Sequence, residues 1–154
     1  ASSNTPAKAK SIRIAACFLS SFVKNAPFLT DSQIKSTSEL LVNWIGRKVE
    51  ALAHFSNSNT EVFIIASVVC CLLEMMNVHP ELICNDMSSS LNDAIKMAFP
   101  LIPIHLKASK TLEPMFSAID AKEQTHHQTQ ISPYSPFDPL ELPHCKKILY
   151  ETSQ

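Results

Sequence analysis

The stretch that decides the fold is Thr60–Asn77, TEVFIIASVVCCLLEMMN. Between Val62 and Met76 only Ser67 and Glu74 are polar. A run of this kind can be a membrane span, a buried strand or a buried helix. A span needs about 18 to 20 apolar residues, and this run reads as shorter, with Glu74 inside it. Its flanks, SNSNT and NVHPE, carry no Lys or Arg anchors. A strand of this length would be unusual. The β-branched residues Val62, Ile64, Ile65, Val68 and Val69 lean towards strand, but length favours helix. Asn59 or Thr60 can cap the start, with Glu61 at the positive end of the dipole. Asn77 and Pro80 end it. A helix apolar on every side must be enclosed by other helices, so the rest of the chain is read as its cover.

The segments before it fit that role. Thr5-Pro6 opens a first helix running to about Lys24. Its apolar stripe is Ile12, Ala15, Ala16, Leu19, Phe22 and Val23, widened by Phe18. Lys8, Lys10, Arg13 and Lys24 fall mostly elsewhere and read as a solvated face. Asn25 to Leu29 is a loop. Thr30 opens a second helix through a capping box with Gln33, and this helix extends to about Phe55. Ile34, Leu41, Ile45, Val49, Leu52 and Phe55 form its stripe, broadened by Leu40, Trp44 and Ala51. Gly46 lies inside it and is read as either a close crossing or a kink.

After the central run, Pro80 to Cys84 reads as one short turn. Ser88 to Ser90 offer caps for a fourth helix carrying Leu91, Ala94, Ile95, Ala98 and Phe99. Pro100 and Pro103 are expected to break it. Thr111, with Pro114 in the first turn, opens a fifth helix to about Glu123. The fold class is therefore all-α, with about five to six helices in antiparallel hairpins. They form either a bundle or a short HEAT- or armadillo-like stack, although no repeat period is visible in the letters.

Four regions follow from composition. Residues 1–4 are a linker, 5–123 a helical domain, 124–144 a polar and Pro-rich extended segment, and 145–154 a short C-terminal helix or tail. The segment SPYSPFDPLELP (132–143) holds four prolines and reads as extended or polyproline II. Nothing in ASSNTPAKAK resembles a signal peptide, and the chain reads as a domain of a larger protein.

The composition narrows function by subtraction. A single glycine among 154 residues removes Gly-rich phosphate loops and nucleotide fingerprints. A formal net charge of -1 gives no electrostatic case for nucleic acid or an anionic membrane. Cys17, Cys70 and Cys71 fall on apolar helical faces, and with Cys84 and Cys145 the count is odd. They read as reduced thiols of an intracellular protein, nuclear or cytoplasmic. His126, His127, His144 and Cys145 lack the spacing of a zinc site, and no nucleophile elbow or carboxylate pair stands out. No catalytic role, cofactor or metal is expected.

The remaining lead is protein binding. Tyr134, Phe137, Leu140 and Leu142 are apolar side chains in a segment that cannot bury them by forming a helix. Ser132-Pro133 and Ser135-Pro136 beside them suit proline-directed phosphorylation. Trp44 is the reserve anchor; its other reading is a core residue. The expected function is a non-catalytic protein–protein interaction module of a larger scaffold or adaptor, with another protein as partner. Homo-oligomerisation is compatible with that reading. The alternative is a nucleic-acid-associated domain using the basic face of the first helix.

Overall fold

The structure is a computed structural model and describes residues 6–53, 59–83 and 89–117. Among the described residues six α-helices follow in order: α1 (Pro6–Asn25), α2 (Asp31–Ala53), α3 (Asn59–Val78), α4 (Ser89–Ala98), α5 (Ile104–Lys107) and α6 (Glu113–Phe116). Two 3₁₀ turns, Pro80–Leu82 and Phe99–Leu101, lie on either side of α4. There is no strand among the described residues.

The central run is a helix, and its burial organises the rest. Ile64, Ala66, Val69, Leu72, Met75 and Met76 have no exposed surface. α1, α2 and α4 all pack on α3, and α2 and α4 also pack on each other. The principal contact of α1 is α3 alone. Ser67, buried within this helix, donates its hydroxyl to the Phe63 carbonyl at 2.9 Å, so its burial leaves no unmet donor. The expectation that the run falls short of a span is corrected. Residues Thr60–Val78 are 19 in number, long and apolar enough to cross a membrane by length and composition. What marks a core helix is the cover: 67% of that window is buried by the other helices.

Local signals set the boundaries of the covering helices. The capping box of α2 is present. Gln33 N–H donates to Thr30 Oγ1 at 3.1 Å, and Thr30 N–H donates to Gln33 Oε1 at 2.9 Å. Two prolines divide the segment after α4, as expected. Pro100 sits in a 3₁₀ turn, and Pro103 precedes the separate four-residue α5. Leu106, Leu112 and Met115 from these short pieces close the core beneath α4. Residues 118–123 of the expected fifth helix lie outside the described residues, as does Phe55.

Four side chains assigned to the buried stripes point outward instead. Phe18 is 41% exposed and Leu40 68% exposed, and Ala15 and Ala51 are also exposed. The physical reason for Phe18 and Ala15 is that α1 has one principal neighbour. One neighbour buries a narrow stripe (Ala9, Ala16, Val23) and leaves the wider apolar arc partly exposed. Leu40 and Ala51, eleven residues apart and on one side of α2, lie beyond the face that it turns to α3 and α4.

Gly46 needs neither a kink nor a clash-free crossing to explain it. α2 runs unbroken through it, and a Cβ placed there would meet Ser90 Cβ at 3.9 Å, an ordinary contact. Gly46→Ala is therefore expected to stabilise the domain by about 1 kcal/mol through helix propensity. Urea denaturation checks this; a lower midpoint would mean that α2 and α4 sit closer than described.

Candidate partner-binding site

The loop between α1 and α2 and the C-terminal end of α3 enclose a cleft of about 190 Å³. Its apolar wall comes from Val23, Ala26, Leu29, Ile34 and Val78. Lys24, Asp31 and His79 supply its polar groups. Three helix ends meet here, and each is fixed by hydrogen bonds. At the end of α1, Asn25 Nδ2 donates to the Ser21 carbonyl at 2.8 Å and Ala26 N–H to the Phe22 carbonyl at 2.9 Å; at the end of α3, His79 N–H donates to the Met75 carbonyl at 2.8 Å; the start of α2 is held by the Thr30–Gln33 capping box. The His79 ring is held by Nδ1, 3.3 Å from Glu81 Oε1. Its Nε2 is buried and has no hydrogen-bond partner among the described residues.

An apolar ridge runs along the outward face of α1 to this cleft. Ile14, Phe18 and Phe22 follow one another at four-residue spacing, so they line one face of the helix. Phe28 folds back onto Phe22 with ring centroids 5.8 Å apart and planes at 68°, an edge-on pair. Part of the ridge is exposed: Ile14 is 38% exposed, Phe28 49%, and Val78 at the cleft rim 43%. A concave apolar pocket beside exposed aromatic side chains has the make-up of a binding surface.

Beside the cleft lies a polar tie. Glu74, near the C-terminal end of α3, takes Lys24 Nζ on one oxygen at 3.1 Å. His105 Nε2 lies 2.7 Å from the other oxygen. Ser109 donates to Asn77 Oδ1 at 2.6 Å. These contacts hold α1 and the segment around α5 to α3. They also spend one cation of the first helix's basic set. Of the other three, Lys8 and Lys10 are exposed and Arg13 is half-buried.

Trp44 lies midway along α2, half-buried against the core, with Lys48 Nζ 5.4 Å from its ring centroid. Leu40, one turn earlier, is exposed. Tyr134, Phe137, Leu140 and Leu142 lie outside the described residues, as do His126, His127, His144, Cys84 and Cys145. The described residues contain no group of three His, Cys, Asp or Glu able to hold a metal ion. The ridge and cleft were not anticipated from the sequence. The four-residue spacing of Ile14, Phe18 and Phe22 was the available signal, but Phe18 and Phe22 were read as part of a single wide buried stripe and Ile14 was left out of it.

Three thiols sit where α1 meets α3. Burial pushes Cys70 and Cys71 up to about 12, and the nearby Glu74 carboxylate and the neighbouring thiols add to this. Hydrogen bonding with Ser20 opposes the rise at Cys71. Cys17 is raised as well, mainly by burial, with Arg13 opposing. All three are therefore protonated at neutral pH and poor nucleophiles.

Comparison with protein-family models, with curated proteins and with solved structures finds no match to this chain.

The thiols yield a test of the α1–α3 contact. Alkylation of the folded protein, followed by peptide mapping, is expected to modify Cys17 before Cys70 and Cys71, which react only on unfolding. Because burial raises these thiols in the folded state, the stability they contribute is complete below their unfolded value of 9.0. It is lost as pH climbs towards about 12. Rapid alkylation of Cys70 in the folded chain would contradict this packing.

Proposed function

We propose that this chain is a non-catalytic protein–protein interaction module, a helical domain of a larger scaffold or adaptor. In this reading the helices are antiparallel hairpins of a bundle or a short HEAT- or armadillo-like stack. The observation that carries the proposal is the partly exposed ridge of Ile14, Phe18 and Phe28, which leads to a cleft with Val78 on its rim. Burying such side chains against a partner supplies about 25 cal/mol per Å² of apolar area, offset by the cost of association. The three thiols next to the site are held protonated, which favours a binding role for this face over a nucleophilic one. The Pro-rich strip with Tyr134, Phe137, Leu140 and Leu142 is a second candidate contact in the same chain.

Quantitative affinity capture tests the proposal. The full chain is compared with Phe18→Glu/Phe28→Glu, with Leu40→Glu as a surface control, and with a chain ending at Glu123. Circular dichroism first confirms that each folds. The expected result is that the double substitution loses a bound protein, further copies of this chain included, while Leu40→Glu retains it. Loss only on truncation would move the contact to the Pro-rich strip. Capture unaffected by all three changes would overturn the assignment of the site.

A further inference from the structure

We propose that the partner of the α1 ridge is the chain's own Pro-rich strip, residues 132–143, laid antiparallel along the helix. This rests on the reading of ridge and strip as binding elements, and it makes each the partner of the other. Pattern, charge and tether length carry it. The face need not be vacant for this: Arg13, Phe18 and Phe22 each make a further interaction in the folded chain.

The pattern is a triplet repeat. SPYSPFDPL (132–140) reads as three successive units of polar residue, proline and apolar residue. Polyproline II has three residues per turn, so in that form each place in the unit takes its own edge. Tyr134, Phe137 and Leu140 share one edge. Ser132, Ser135, Asp138 and Glu141 share another. Pro-rich segments of this form dock on aromatic-lined surfaces, and the row Ile14, Phe18 and Phe22, with Phe28 packed on Phe22, is one.

Charge decides the direction. α1 contains four basic residues and no acidic one. At 100° per residue, Lys10 and Arg13 fall on the same flank of the row. The strip holds Asp138 and Glu141 and no Lys or Arg. Because polyproline II is left-handed, a strip running antiparallel to α1 with its apolar edge on the row turns its acidic edge to that flank. The register agrees. With Phe137 at the level of Phe18, Glu141 lies four residues and about 12 Å further along the strip. Lys10 lies eight residues and about 12 Å back along α1, so the two come level. Asp138 falls within a turn of Arg13, and Tyr134 beside Phe22. The exposed Leu40 of α2 is the competing apolar place, but the exposed Glu39 and Glu50 of that helix would meet an acidic edge with like charge.

The tether permits this within one chain. Fifteen residues separate Ser117, the last described residue, from Ser132. Extended, they reach about 50 Å, against about 30 Å for the whole of α1. A tethered segment meets its target at an effective concentration on the order of millimolar, so a weak contact suffices.

Site-specific photo-cross-linking of the full chain tests it. Phe137 is replaced by p-benzoylphenylalanine, the protein is irradiated, and the monomer is mapped by tryptic peptides. The expected result is a link from position 137 to the peptide that carries Phe18, in a yield independent of protein concentration. Asp138→Lys/Glu141→Lys, which leaves every described residue as it is, should cut that yield at least about threefold. Lys10→Glu/Arg13→Glu should do the same, and the two reversals combined in one chain should restore it.

Links confined to other peptides, the one carrying Leu40 included, overturn the inference. So do links found only between chains, or a yield on α1 indifferent to both reversals. If the inference falls in this way while the chain still captures a protein through Phe18, the interaction-module reading stands. If the link forms as expected and no form of the chain captures a protein, that reading falls and the inference stands.

Discussion

A helix with apolar side chains on nearly every face cannot stand at a surface, and that constraint governs this domain. α3 places Ile64, Val69, Leu72, Met75 and Met76 out of contact with solvent around its whole circumference. Satisfying it takes three helices, with α1 on one flank and the mutually packed pair α2 and α4 on another. The short pieces α5 and α6 and the 3₁₀ turns fill what remains. The apolar area that α3 withdraws from water is the main favourable term available to the fold. The covering helices are marginal alone, as most helices of ten to twenty residues are.

The same constraint makes Glu74 informative. A carboxylate within the apolar run of α3 would be costly if left alone. It is placed at the margin of the core and paired on both oxygens, with Lys24 from α1 and His105 from α5. A paired charge of this type adds little net stability compared with an apolar residue. It does distinguish one alignment of α1 on α3 from others, because a shift by one turn would strand both Lys24 and Glu74. The cleft lies where this alignment brings the ends of α1 and α3 against the start of α2.

Much of this architecture was legible in the letters. The central run, the Thr30–Gln33 capping box and the proline break after α4 are local signals, each with a physical mechanism confined to a few residues. Phe18, Ala15, Leu40 and Ala51 were misassigned for a reason local signals cannot repair. Periodicity shows which residues share a face, but not how many neighbours the helix has. α1 has one principal neighbour, so its apolar arc is wider than its contact. That excess is the ridge, and a count of neighbours is a tertiary property. The cleft was illegible for a similar reason: its walls come from residues 23 to 34 and from 78 and 79, which only the folded chain brings together. His79, scattered and without a companion pattern in the sequence, gains its meaning from that meeting.

The measurement that tests the central claim most directly is native-state hydrogen exchange, resolved by residue. If α3 is the enclosed core, the amides of Ile65 to Met76 should be the slowest in the chain. They should exchange only through global unfolding, with an opening free energy equal to the denaturant value. α1 should open at or below that limit. If the α3 amides instead exchange well below the global limit, or faster than those of α1 and α4, α3 is not the element on which the others depend, and the account is wrong.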